Sequence, residues 1–237
     1  MMQTIIQHHR TRSRHLAILK YLLGNSNRFI EVVEDNNNSA SGMRKCFELG
    51  INLGADNLLI LQDDIITCKN ILLTAKQLPQ LLPNKIISLF SAYNVVSTAL
   101  RTNRHWATID RLYGLCAYII PTFMAKEYLE YEKNIKDSII ADDVRLSMYL
   151  ASKNQLVYLT APSLVEHICW HTSTNNKIKD EVIDKENGIR HRISDRFIGV
   201  ENDSEKINWT LGLTNPAHLT IGQKFDFVRH LKPCTQN

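Results

Sequence analysis

The sequence predicts an α/β protein built on a mainly parallel, Rossmann-type sheet flanked by helices. Three observations predict it. First, short β-prone segments alternate with amphipathic helical ones: residues 4–8 are followed by Leu16, Ile18, Leu19, Leu22 and Leu23 at helical spacing, and residues 28–33 by a helical pattern over 43–53. Such alternation builds right-handed βαβ units and hence a parallel sheet. Second, Leu58, Leu59, Ile60 and Leu61 form an unbroken apolar run, the mark of a strand covered on both faces. Third, that run stops abruptly at Asp63 and Asp64. Both acids then stand at a strand's carboxyl end, the edge of an open α/β sheet where ligands bind.

The 237 residues, 44% hydrophobic and 22% charged, suffice for one compact body. From Thr174 the chain turns polar and charged until Ile207, so residues 1–173 are expected to form the main domain and 174–237 a less regular C-terminal extension packed on it. No apolar run approaches the roughly 18–20 residues of a membrane span, and the first residues lack the regions of a signal peptide. We therefore expect no membrane partner and a cytoplasmic location, the host's cytoplasm if the chain is viral. Cys46, Cys68, Cys116, Cys169 and Cys234 are scattered, odd in number and without CxxC spacing, as expected of reduced thiols. A net charge of +4 and a pI near 8.8 favour polyanionic partners, among which bound phosphates count as much as nucleic acid.

Along the chain, His8, His9, Arg10, Arg12, Arg14 and His15 crowd one strand-to-helix turn. Backbone N–H groups and cations together suit a diphosphate there; a solvated basic face is the plainer alternative. The second strand closes in Glu34 and Asp35, well placed for a nucleoside hydroxyl or base edge. After Asp64 come a helix through Leu78 and a strand over 86–90. A loop over 101–106 follows, in which Arg101 and Arg104 beside Trp106 form either a stacking surface or an ordinary clasp. The pattern resumes as a strand over 112–120 and a helix from Pro121 to about Glu132. Asp142 and Asp143 then open a helix, where the dipole favours acids whatever their role. A strand over 155–159 leads to His167.

One carboxylate, one imidazole and the oxygens of a diphosphate make a site for Mn²⁺ or Mg²⁺, and such an ion stabilises a leaving diphosphate. In their order, Leu59 to Asp64, Gly114 to Pro121, Asp142-Asp143 and Pro162-Ser163-Leu164-Val165-Glu166-His167 resemble the nucleotide-sugar-dependent glycosyltransferases of the GT-A fold, with their DxD-type acidic motif, over residues 3–173. The resemblance implies a metal-dependent hexosyl- or pentosyltransferase using a nucleoside diphosphate sugar, with uridine diphosphate the expected nucleotide. It implies metal binding by Asp64 and His167, with His171 as substitute, and places Asp63 near the ribose or the metal's water shell. Gln62 stands where relatives often have an acid, and Cys169 where they tend to have glycine. Asp143 or Asp142 falls in the region of the catalytic base of inverting members, or positions the sugar in retaining ones. Arg10 and Arg14 would meet the diphosphate, and Glu34 and Asp35 the nucleoside. The favoured acceptor is a hydroxymethylated pyrimidine in DNA, the DNA modification made by some bacteriophage enzymes, with Arg101, Arg104, Trp106, Arg190 and Arg192 as acceptor contacts. A surface polysaccharide, lipopolysaccharide or protein glycan is the alternative acceptor, and a non-catalytic nucleotide or nucleic-acid binding module the alternative role.

Overall fold

The computed structural model describes residues 1–24, 29–34, 38–112, 114–139, 141–167, 183–184, 189–190 and 194–220. In chain order these form β1 (Met2–His9), a 3-10 turn (Arg10–Arg12), α1 (Ser13–Leu23), β2 (Ile30–Glu34), α2 (Ser39–Asn52), β3 (Asn57–Gln62), β4 (Ile65–Thr67), α3 (Ile71–Leu81) and β5 (Ile86–Ser88). There follow α4 (Val95–Arg101), β6 (Trp106–Ile109), β7 (Ala117–Pro121), α5 (Thr122–Glu132), α6 (Asp142–Ser152), β8 (Val157–Thr160), β9 (Val165–His167), β10 (Ile183–Asp184), β11 (Ile189–Arg190) and β12 (Ala217–Leu219).

Eight strands make one sheet in the order β12-β6-β8-β5-β7-β3-β1-β2. The α/β class is as expected, and the parallel pairings outnumber the antiparallel ones only narrowly. β1 runs parallel to β2 and β3, β5 to β8, and β6 to β12, whereas β7 is antiparallel to β3 and β5, and β6 to β8. The alternating βα units at the N-terminus supply two of these parallel pairings, β1 with β2 and β1 with β3.

The residues of β3 explain the layering. Leu58 and Ile60 enter the layer of Met43 and Phe47 of α2, Tyr128 of α5 and Leu146 of α6, while Leu59 and Leu61 enter that of Leu16 and Leu19 of α1 and Leu78 of α3. All four β3 residues are fully buried, and each contributes roughly 1.5–3 kcal/mol relative to exposure. Gly50 lets α2 lie directly on this strand, because a Cβ there would overlap the Leu58 methyls.

Several segments depart from expectation. The loop read over 101–106 spans residues 102–105, with Arg101 closing α4 and Trp106 opening β6. The strand expected over 112–120 begins only at Ala117, since Gly114 sits at φ +76°, outside extended geometry. Residues 194–220 bridge back to the body at Ser163 with Phe197 and at Lys69 with Asp203, and end by adding β12 to the sheet. Cys46, Cys68 and Cys116 are free thiols, and Cys169 and Cys234 lie outside the described residues. Among the described residues, no helix is long and apolar enough to cross a membrane.

This topology brings the carboxyl ends of β1, β2, β3, β5 and β8 to one rim. His9, Glu34, Gln62 and the two acids after it share that rim with the start of β7. β4 pairs antiparallel with β9, Ile65 facing His167, and so carries His167 back to the end of β3.

Candidate active site

The parallel register of β1 and β3, with Gln7 opposite Gln62, sets the basic turn beside the acid pair. Asp63 is buried, and its Oδ2 accepts the His9 backbone N–H at 2.9 Å and lies 3.0 Å from His8 Nδ1. One Arg12 Nη donates to both acids, at 2.8 Å to Asp63 Oδ1 and 2.6 Å to Asp64 Oδ2. His167 Nε2 lies 3.2 Å from the same Asp64 oxygen. Burial alone would raise the Asp64 pKa; the hydrogen bond and charge of His167, together with Arg12, outweigh it and hold the carboxyl below its ordinary value. Two adjacent carboxylates need a neutralising cation, and here Arg12 provides that charge.

Asp64 is 7% exposed, and its Oδ1 is buried without a hydrogen-bond partner, as is Arg12 Nε. A carboxylate with one oxygen orphaned and an imidazole 3.2 Å from the other fits a divalent ion, because a hard oxygen and a borderline nitrogen suit Mn²⁺. Among the described residues no group of three or more His, Cys, Asp or Glu converges on one point. Asp64 and His167 could therefore hold such an ion only with further ligands from substrate and water, the usual habit of Mg²⁺ at phosphate sites.

The second acid pair joins the same rim through Gln62, whose Nε2 donates to Asp142 Oδ2 at 3.0 Å. Asp142 Oδ1 accepts the Asp143 N–H at 2.9 Å, and its own N–H donates to Ser39 Oγ at 3.2 Å. Burial, then the neighbouring Asp143, push the Asp142 carboxyl up to about 7. Asp143 is only half-buried; its Oδ2 accepts the Gly114 N–H at 3.0 Å and its Oδ1 the Val144 N–H at 2.7 Å. Glu34, also buried, accepts from Gln7 Nε2 at 3.1 Å, in space left by Gly42.

The remaining expected site residues divide. Arg10 lies exposed in the turn and Arg14 exposed in the first turn of α1, both next to the acid pair in the chain fold. Trp106 is not a stacking surface. It is fully buried, its indole N–H donates to Trp209 O at 2.6 Å, and its ring packs against Trp209 and Tyr158, which leaves no face for an acceptor. Arg101 is exposed at the end of α4, with Nη2 donating to Thr98 Oγ1 at 3.1 Å, and Arg104 is half-buried. Both border β6, four strand positions from β3, a separation on the order of 19 Å. Arg190 falls in β11 opposite Ile183, and Asp35, His171 and Arg192 lie outside the described residues. The sequence placed Arg12 and His8 in the basic turn but showed neither their bonds to the acid pair nor the bond made by Gln62. Arg12 alternates with Arg10 and Arg14, so only the β1–β3 register singles it out.

Fold and site together define an α/β protein with two acid pairs, an arginine and a histidine gathered at the carboxyl rim of its sheet. No protein-family model matches the chain, and no curated protein matches it in sequence. It is similar to the crystal structure of A197 from STIV, at 14% identity over 85% of this chain and 99% of that one, TM-score 0.46. It is similar to a protein described as a glucose-1-phosphate thymidylyltransferase from Bacillus anthracis, in complex with a sucrose, at 12% identity over 76% of this chain and 97% of that one, TM-score 0.45. A third likeness is to the glycosyltransferase GlyE of Streptococcus pneumoniae TIGR4, at 10% identity and TM-score 0.43, covering 76% of this chain and 57% of that one. At these scores none of the three bears on what this chain does.

Proposed function

We propose that the protein is a metal-dependent glycosyltransferase, moving a sugar from a nucleoside diphosphate sugar, with uridine diphosphate as the nucleotide, to a hydroxyl acceptor. The observation that carries this reading is the Asp64–His167 pair at the sheet's carboxyl rim, with one buried carboxylate oxygen left without a partner. Asp64 and His167 hold Mn²⁺ or Mg²⁺. When bound, the ion supplies positive charge to the leaving diphosphate. Asp63, fixed by His8 and His9, keeps its neighbour oriented, and Glu34 meets the nucleoside. Arg10 and Arg14 face the phosphates. Asp143 takes the proton from the acceptor hydroxyl, since it is the more exposed of its pair, and Asp142 positions it from beneath.

For the acceptor, the net charge of +4 and the exposed Arg101 favour a polyanion, and we take hydroxymethylated pyrimidine in DNA as that acceptor. The experiment incubates the protein with labelled nucleotide sugars, Mn²⁺ and hydroxymethylated DNA. Label is expected in the DNA; label entering only a glycolipid, polysaccharide or glycopeptide would replace that acceptor and leave the transferase reading intact. Asp64→Ala is expected to lower donor turnover by at least about 100-fold, the scale of losing one electrostatic stabiliser. Unchanged turnover in that variant would remove the metal assignment. A chain that binds nucleotide but turns over no donor is a binding module instead.

A further inference from the structure

We infer that Arg12 is a latch on the acid pair, occupying the place of the cation until a diphosphate draws it away. The inference rests on the metal reading proposed above and concerns a residue for which that reading has no role. Asp64 Oδ2 is held by Arg12 and His167 together, while Oδ1 is buried and faces no partner. Oδ2, the Asp64 oxygen next to His167, is therefore not open to an arriving cation while Arg12 stays in place. The Arg12 side chain is 10% exposed, and its Nη reaches both acids, so one residue closes the pair. Removing a guanidinium from two carboxylates is costly unless a new anion receives it, and a diphosphate matches its fork geometry. The turn that carries Arg12 also carries Arg10, exposed at the same rim. Nucleotide and cation should then bind with positive coupling: the diphosphate takes the arginine, and the freed acids take the cation. Such coupling is reciprocal, with typical factors of about 5–150-fold.

The test measures Mn²⁺ binding through loss of the free-ion paramagnetic resonance signal, with and without uridine diphosphate, for the wild-type chain, Arg12→Gln and Arg12→Met. Arg12→Met keeps an apolar stem in the same space, so it serves if the glutamine variant folds poorly. Without nucleotide, both variants are expected to bind Mn²⁺ about tenfold more tightly than wild type, within the coupling range above. Uridine diphosphate is expected to tighten Mn²⁺ binding in the wild type and to do so much less in the variants. If the variants bind Mn²⁺ no more tightly than wild type while all three respond equally to nucleotide, the latch is wrong and the metal site stands. If no form binds Mn²⁺ under either condition, the metal reading fails and the latch with it.

Discussion

At the residue scale, Gln62 explains a departure from the acidic pattern that the sequence resembles. Its amide donates to Asp142, so a carboxylate there would face another carboxylate across 3.0 Å. The two acid pairs are therefore linked through Gln62, a link that spacing along the chain cannot show because 80 residues separate its ends. Asp63 and Asp64 were legible because an apolar strand stops at them. Arg12 was not, since three arginines at alternate positions look alike until the register of β1 and β3 is known. The Asp142 carboxyl gives a pH signature. Its folded pKa, about 7, lies above the ordinary 3.8, so the folded state holds the proton more tightly than the unfolded chain. That contribution is present in full below the lower value and is lost as pH rises through the higher one. Asp142→Asn removes the titration, so its stability relative to wild type is expected to rise between about pH 4 and pH 7 and to level off above. Urea melts across that range check it, and a pH-independent difference would count against the raised pKa.

At the element scale, the β1, β2 and β3 units were readable because each pairs a β-prone run with a helical pattern. β6 was not: Trp106 follows a cationic stretch, and a strand this short carries no clear alternation. What makes it a strand is tertiary, the pairing with β8 on one side and β12 on the other. Trp106 is its anchor, filling space between Tyr158 and Trp209. Trp106→Ala is expected to cost about 3–5 kcal/mol of stability, as large aromatic truncations do. Donor turnover per folded molecule should stay unchanged, because the residue is fully buried and exposes no face to a ligand. A variant with wild-type stability and selectively weakened acceptor binding would restore the surface role that its burial argues against.

At the scale of the whole molecule, the sheet gathers at one rim groups that lie far apart in the chain, from His8 to His167. Residues 194–220 tie back onto the body: Ser204 bonds Thr74, Asp203 accepts from Asn70, and Glu166, next to His167, accepts from Ser194. The sequence showed these residues only as a polar stretch with a few aromatic positions, since their order comes from docking rather than from periodicity. The proposal that this rim binds a divalent cation together with a diphosphate rests on the orphaned oxygen of Asp64, on His167 beside it and on the inferred release of Arg12. Anomalous diffraction at the manganese edge, from crystals grown with Mn²⁺ and uridine diphosphate, tests it most directly. The account predicts a peak between Asp64 and His167, with Arg12 turned onto the diphosphate. No peak there, with Arg12 still bridging Asp63 and Asp64, would contradict it.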